Sequence, residues 1–350
     1  MPRKQKTKDF FINSGSSCYT EPFISLLCGV ALKNILLSQR LIALSTLAVL
    51  FVFFSIFGKN FLTQNSMVSL LESTYYIICL AFGMTFVIST GGIDLSIGCV
   101  AMCGALIGGV AYDEWGMPIG VALIVTILVA TCFGVINGFL IAYCHIPPFV
   151  ATMGTQYLAQ GFGYIVSQVQ TMRYPIITSE DGWFKRVFYK SLEGFPMGVL
   201  YMVLLFVIAF FLFRYTQLGK YACAIGSNCE ATRLSGVNTK HWILLVYIIA
   251  GIFAGLAGVF YSATYTSVLP GSGSGMEMNA IAAVVIGGTS LAGGTGTMLG
   301  TIIGVFIMAV LKNGLLTIGI QQQWQVLFTG LAVLLAVMLD IYRGMKVKRS

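Results

Sequence analysis

Four acids stand in or beside long apolar runs: Glu72, Asp94, Glu277 and Asp340. An ionisable group in such a setting is a functional candidate, because removing it from water is costly. Asp94 follows Gly91 and Gly92 and precedes a new apolar run. There it either caps the next helix by accepting backbone N–H bonds or touches a substrate directly. Glu277, in Gly-Met-Glu-Met-Asn, either caps a helix or lines an external vestibule. Glu72 lies near the start of its run, and Asp340, beside Tyr342 and Arg343, marks the interface at the end of the last one.

A second polar pattern lies in the stretch Arg214–His241. Ser227 precedes Glu230 by three residues, the capping-box spacing, in which the serine oxygen takes an orphan N–H and the glutamate reaches back. Gly236 follows Ser235, where a left-handed glycine closes a helix. A two-turn helix from Asn228 to Ser235 is thus expected, kept in water by Arg233, Lys220 and Lys240. It is either a docking element or an ordinary solvated loop.

Several chemistries are missing. The sequence has no G-x-x-x-x-G-K-[ST], so no P-loop of its own for ATP. His145 and His241 are the only histidines, both at the edges of apolar runs, which disfavours a histidine acid–base site. Nine cysteines, most of them inside apolar runs, read as packing residues, and Cys99 and Cys103 lack a companion Cys/His pair for a metal. Neither a catalytic residue nor a metal ligand is assigned.

The elements that must position these groups are apolar helices. Of 350 residues, 57% are hydrophobic and 9% charged, with mean hydropathy +0.88. A soluble chain carries about a quarter charged residues, so this is an all-α, polytopic membrane bundle. Runs of roughly 20 apolar residues cross a bilayer. The expected spans are Leu41–Phe57, Met67–Ser89, Leu95–Tyr112, Met117–Tyr143, Phe149–Ser167, Pro196–Phe213, Trp242–Val268, Asn279–Ser290, Met298–Thr317 and Trp324–Asp340, about ten, of which the eighth is short.

Of 20 Lys and Arg, 14 fall before Leu41, within Arg214–His241, or after Asp340. The positive-inside bias therefore puts both termini and the 214–241 loop in the cytoplasm. The net charge of +8 is explained by that distribution and not by nucleic acid. Residues 1–40 are expected as a cytoplasmic tail or, over Phe23–Ser38, an interfacial helix; 41–341 as the membrane domain; and 342–350 as a second tail. The basic N-terminus has no cleavage pattern behind it. Gln168–Phe195 is an outer loop of mixed charge, either a docking surface or a plain connection.

Forty glycines gather in GGIDLSIG, GSGSG and IGGTSLAGGTGTMLG. Broken helices are tolerated in membranes only where backbone is buried in protein or lines a watery cavity, so these runs suggest a translocation path, with close helix packing as the plain alternative. Asn137-Gly138 and Asn313-Gly314 hint at an internal repeat whose spacing does not match well. Asn137, Asn279 and Asn313 join Asp94 and Glu277 as candidates for the path.

Three segments carry a resemblance: GGIDLSIG at 91–98, AIGSNCEATRLSGVNTK at 224–240, and AIAAVVIGGTSLAGGTGTMLGTIIGV at 280–305 followed by KNGLLTIG. From about Met67 to Asp340 the chain resembles the permease subunits of bacterial ABC sugar importers, ribose type. The resemblance implies residence in the bacterial inner membrane, a second permease subunit, a cytoplasmic ATPase that uses ATP and magnesium, and a periplasmic sugar-binding protein. It also implies alternating access, with no cofactor in this chain. Gly226, Asn228, Glu230, Ala231, Arg233, Leu234, Ser235 and Gly236 match the family's coupling loop toward the ATPase. Asp94 matches the acid of its GGIDLS motif, and Glu277 the first acid of a Glu-Leu-Asp motif. Here Met278 and Asn279 replace the rest of that motif, and Ser227 stands where a second glycine is more usual. Nucleosides or branched-chain amino acids are alternative cargoes, and a stand-alone secondary carrier is an alternative class.

Overall fold

Each of the ten expected spans holds a helix. The computed structural model describes residues 41–190 and 195–347, so the interfacial helix expected over Phe23–Ser38 lies outside the described residues. The helices are α1 (Leu41–Phe57), then α2 (Gln64–Ser89), α3 (Ile97–Asp113), α4 (Ile119–Ala142), α5 (Pro148–Val166), α6 (Trp183–Phe188) and α7 (Met197–Tyr215). They continue with α8 (Gln217–Ser227), α9 (Cys229–Leu234), α10 (Thr239–Thr264), α11 (Met276–Ile286), α12 (Met298–Thr317) and α13 (Gln322–Val347). Five of them, α2, α4, α7, α10 and α12, are long and apolar enough to cross a membrane. α1, α3, α11 and a stretch of α13 are shorter apolar helices.

Local chemistry explains several boundaries. Pro118 and Pro147 immediately precede α4 and α5, and Pro148 takes the first turn of α5, where its missing N–H costs nothing. The Thr297 hydroxyl accepts the Gly300 N–H at 3.2 Å to start α12. α13 runs on to Val347, through most of the stretch expected as a tail.

From Ala43 onward the described residues form one unit. At its centre α2 is buried on all sides from Ile77 to Ser89. α10 packs against α4 and α2, and glycine sets the closeness of that crossing: a Cβ at Gly134 would stand 2.5 Å from the Tyr247 carbonyl oxygen. By contrast α7 exposes Leu200, Val203, Leu204, Val207, Ile208 and Phe211, an apolar face suited to lipid.

The only strands among the described residues are β1 (Met172–Arg173) and β2 (Ser267–Val268). They pair antiparallel, Met172 opposite Val268. This ladder ties the 168–195 loop to the segment between α10 and α11. α6 lies in the same loop, an element the sequence pattern did not single out.

Candidate functional site

Asp94 sits in the non-helical turn between α2 and α3 and is buried at 4% exposure. Its Oδ1 accepts the Ser96 backbone N–H at 2.9 Å and the Ser96 hydroxyl at 2.6 Å, an Asx-type turn that begins three residues ahead of α3. The Ser96 Oγ in turn accepts from Asn137 Nδ2 at 2.8 Å on α4, and Asn137 Oδ1 accepts from the Thr155 hydroxyl at 2.6 Å on α5. The Thr152 hydroxyl reaches the Ile93 carbonyl at 3.3 Å. The N-cap of α3 is Ser96 and not Asp94; the Asp94 carboxylate instead holds Ser96 and so anchors a chain of buried bonds that reaches α4 and α5. Such a network is stabilising when every member is satisfied.

One neighbour is not satisfied. The Tyr247 hydroxyl on α10 is buried without a hydrogen-bond partner, and it lies 2.7 Å from where a Cβ of Gly92 would be. Buried polar groups are nearly always paired, so the orphan calls for an explanation.

Glu277 and Asn279 occupy the first turn of α11. Gly275, left-handed at φ 88°, precedes the helix, and its N–H donates to Glu277 Oε1 at 3.0 Å. Asn279 Nδ2 donates to the Gly275 carbonyl at 3.0 Å, while its Oδ1 is buried and unpaired. Glu277 is 6% exposed, so it does not line an open vestibule in this conformation. Its Oε2 lies against α3, 2.9 Å from a Cβ position at Gly98, so the starts of α3 and α11 meet. The space beside them, lined by Cys99, Cys103, Gln160, Tyr164, Gly271 and Gly273, amounts to about 10 Å³. That is room for one water and for no organic solute.

Asn313 stands apart from this group. Its Nδ2 donates to the Ser66 carbonyl at 2.8 Å, tying α12 to the start of α2, with Gly314 against the Phe54 ring. Asn137 and Asn313 therefore do parallel work, each amide holding a serine at the start of another helix. Glu72, on α2, accepts from the Tyr189 hydroxyl at 2.6 Å.

In the 214–241 stretch the structure corrects the cap. Ser227 is the last residue of α8, and Asn228 is the N-cap of α9, its Oδ1 accepting the Ala231 N–H at 2.9 Å. The reason is that Asn228 is extended at φ −161°, ψ 102°, the geometry an N-cap needs, whereas Ser227 is still helical. Glu230 does not reach back; it pairs with Arg233 at 2.7 Å on the exposed face. Ser235 follows the helix, and Gly236 closes it at φ 85°, as expected. Leu234 is 83% exposed, which is unusual for a leucine with a bundle beside it.

In the segment between α5 and α7, Lys185 is buried and donates to the Thr266 hydroxyl at 2.7 Å. Burial brings its pKa down from 10.5 to about 8. Ser96, Thr155, Tyr247 and Lys185 were not singled out from the sequence; the groups they meet come from segments distant in the chain, and no short-range pattern announces them. Among the described residues no group of three His, Cys, Asp or Glu side chains could hold a metal ion.

A helical membrane bundle with glycine breaks, buried acids at helix starts and an exposed capped helix defines a transport component, and comparison with known proteins agrees. The chain belongs to the family described as branched-chain amino acid transport system/permease component, whose model matches residues 66–338. It is 36% identical over 312 residues to the ribose import permease protein RbsC of Escherichia coli (strain K12), covering 88% of this chain and 95% of that one. It is 36% identical over 304 residues to RbsC of Bacillus subtilis (strain 168), covering 86% and 92%. It is 32% identical over 294 residues to the fructose import permease protein FrcC of Rhizobium meliloti, covering 83% and 82%. No solved structure matches.

Proposed function

We propose that the chain is the membrane-spanning permease subunit of an ATP-driven importer that moves a monosaccharide inward by alternating access. The observation that carries this reading is the match to ribose and fructose import permeases over at least 82% of their length. The family description names branched-chain amino acids, which keeps those as the second cargo. Ten crossings, with both termini and α8–α9 in the cytoplasm of a bacterial inner membrane, fit the distribution of lysine and arginine.

In this reading α9 seats in a separate ATPase, which uses ATP and magnesium. Asn228, Glu230, Ala231, Arg233, Leu234, Ser235 and Gly236 make or shape the contact, and the exposed Leu234 and the Glu230–Arg233 pair support it. A binding protein delivers sugar on the opposite side, and a second permease subunit completes the pathway. Asp94 and Asn137 hold helix starts near that pathway. Glu277 and Asn279 stand at the start of α11, closed off in this conformation, so the half-helix must move for a solute to pass.

The test is uptake into proteoliposomes holding the permease, its ATPase and its binding protein, with labelled pentoses, hexoses, nucleosides and leucine. ATP-dependent accumulation of one sugar is expected. Accumulation of leucine or a nucleoside alone would reassign the cargo, and uptake without ATP would make the chain a stand-alone carrier. Glu230→Ala and Arg233→Ala should lower sugar-stimulated ATP hydrolysis while membrane insertion stays intact.

A further inference from the structure

Three turns meet behind α9, backbone against backbone. Gly226, in the last turn of α8, sits where a Cβ would stand 2.1 Å from the Ser89 carbonyl oxygen and 2.5 Å from the Gly294 nitrogen. Gly293, left-handed at φ 83°, would place a Cβ 2.8 Å from the Gly91 nitrogen and 3.0 Å from the Gly226 Cα. The Gly294 N–H donates to the Ser89 carbonyl at 3.0 Å, and the Ser227 Oγ lies 2.5 Å from a Cβ position at Gly294. Apart from the Ser227 hydroxyl, the nearest atoms across these contacts are backbone, with no long side chain to rotate and absorb a displacement.

Each turn belongs to a different part of the bundle. Ser89 ends α2 and leads through Gly91 and Asp94 into α3. Gly293 and Gly294 connect α11, with Glu277 and Asn279, to α12. Gly226 and Ser227 end α8 and lead into the exposed α9.

We propose that these three turns form a rigid joint, with Gly226 as its central positioning residue, which moves the α2–α3 break and the α11–α12 connection together whenever α8–α9 is displaced. The inference rests on the reading of the chain as an ATP-driven permease and assigns Gly226 to the bundle side of the segment, away from the ATPase contact. Close-packed interiors transmit a shift instead of dissipating it, and they do so best where the contacts are backbone. One displacement at α9 then reaches the place where the starts of α3 and α11 meet by two routes: the Asp94 network through the α2–α3 turn, and the closed start of α11 through the α11–α12 connection.

Two opposite perturbations test this in the assembled importer. The first wedges the joint open with Gly226→Ala, whose methyl group has no room. Membrane level, co-purification of the ATPase and basal ATP hydrolysis should resemble the parent, while import falls about tenfold. The second locks the joint: Ser227→Cys with Ala292→Cys, both exposed, bridged by a short cleavable thiol reagent in a chain whose Cys223 and Cys229 are serine. Because the turns move as one body, import should stay within about twofold of the unbridged protein.

Import at the parent level in the wedged variant would overturn the joint. Loss of the ATPase from a normally inserted wedged variant would place Gly226 in the contact surface instead. Import that stops on quantitative bridging and returns on cleavage would show that the turns slide past one another, which also refutes it; this arm decides alone if Gly226→Ala fails to insert. Absence of ATP-dependent uptake in the parent chain would defeat the functional reading itself and remove the basis for the joint.

Discussion

The α8–α9 segment and the Asp94 network use the same residue types, asparagine, a hydroxyl and an acid, in opposite settings. At α9 the cap, the ion pair and the closing glycine all lie within nine residues, Asn228 to Gly236, and most of them face solvent. Around Asp94 the partners come from the α2–α3 turn, α4 and α5 and are buried. Exposed pairs contribute little, because water and salt compete for both partners. Buried groups contribute mainly through what happens when one loses its partner. The exposed segment can therefore be spent on contact with another protein, whereas the buried network holds the bundle.

The largest effect is expected from Asn137→Leu, which keeps the number and branching of the heavy atoms but strips the acceptor from Thr155 and the donor from Ser96. Leaving those groups buried should cost about 2 kcal/mol, read as a lowered unfolding midpoint in detergent. An unchanged midpoint would erase the contrast between the two regions.

Lys185 sharpens the comparison next, as a buried charge with a hydroxyl partner and no anion among the described residues. With its pKa near 8 in the fold and 10.5 when unfolded, the unfolded chain binds more protons between those values, so stability should rise with pH across that window. Below about pH 8 both states are protonated and the cost of burying the charge is fully present. Lys185→Met should flatten that rise in a pH series of unfolding midpoints; an equal slope in both proteins would remove Lys185 as its source. The smallest effect is Glu230→Ala. Breaking the exposed 2.7 Å pair should change stability by only about 0.3 kcal/mol, and a loss comparable to that of Asn137→Leu would mean that α9 is held by contacts the exposed pair does not describe.

The same contrast explains what could be read in advance. Helix positions followed from runs of apolar residues, and α1 and α12 end where those runs end. Gly236 was legible because a left-handed closing residue is a local requirement. The cap was misplaced by one residue, since Ser227 and Asn228 are both good caps and the end of α8, fixed by the packing of Gly226 on Ser89, decided between them. Asp94 was recognisable as a group needing partners, but Ser96, Asn137 and Thr155 as a set were not, because their meeting depends on how α3, α4 and α5 pack. Asn137 and Asn313 were read as path residues; both amides are occupied with helix starts, a use that spacing alone does not distinguish from solute contact.

The two-residue ladder between Met172 and Val268, extended by the Tyr174 N–H to the Thr266 carbonyl at 2.8 Å, bears on the order in which the protein is made. β1 leaves the ribosome well before β2, with α6 through α10 still to come. The segment around β1 must therefore wait unlatched while those helices form, because closing a long loop costs entropy that only the later contacts repay. Truncation before Ser267 would leave Met172 and Arg173 without their strand partner, and the segment around them open to whatever protease or chaperone meets it.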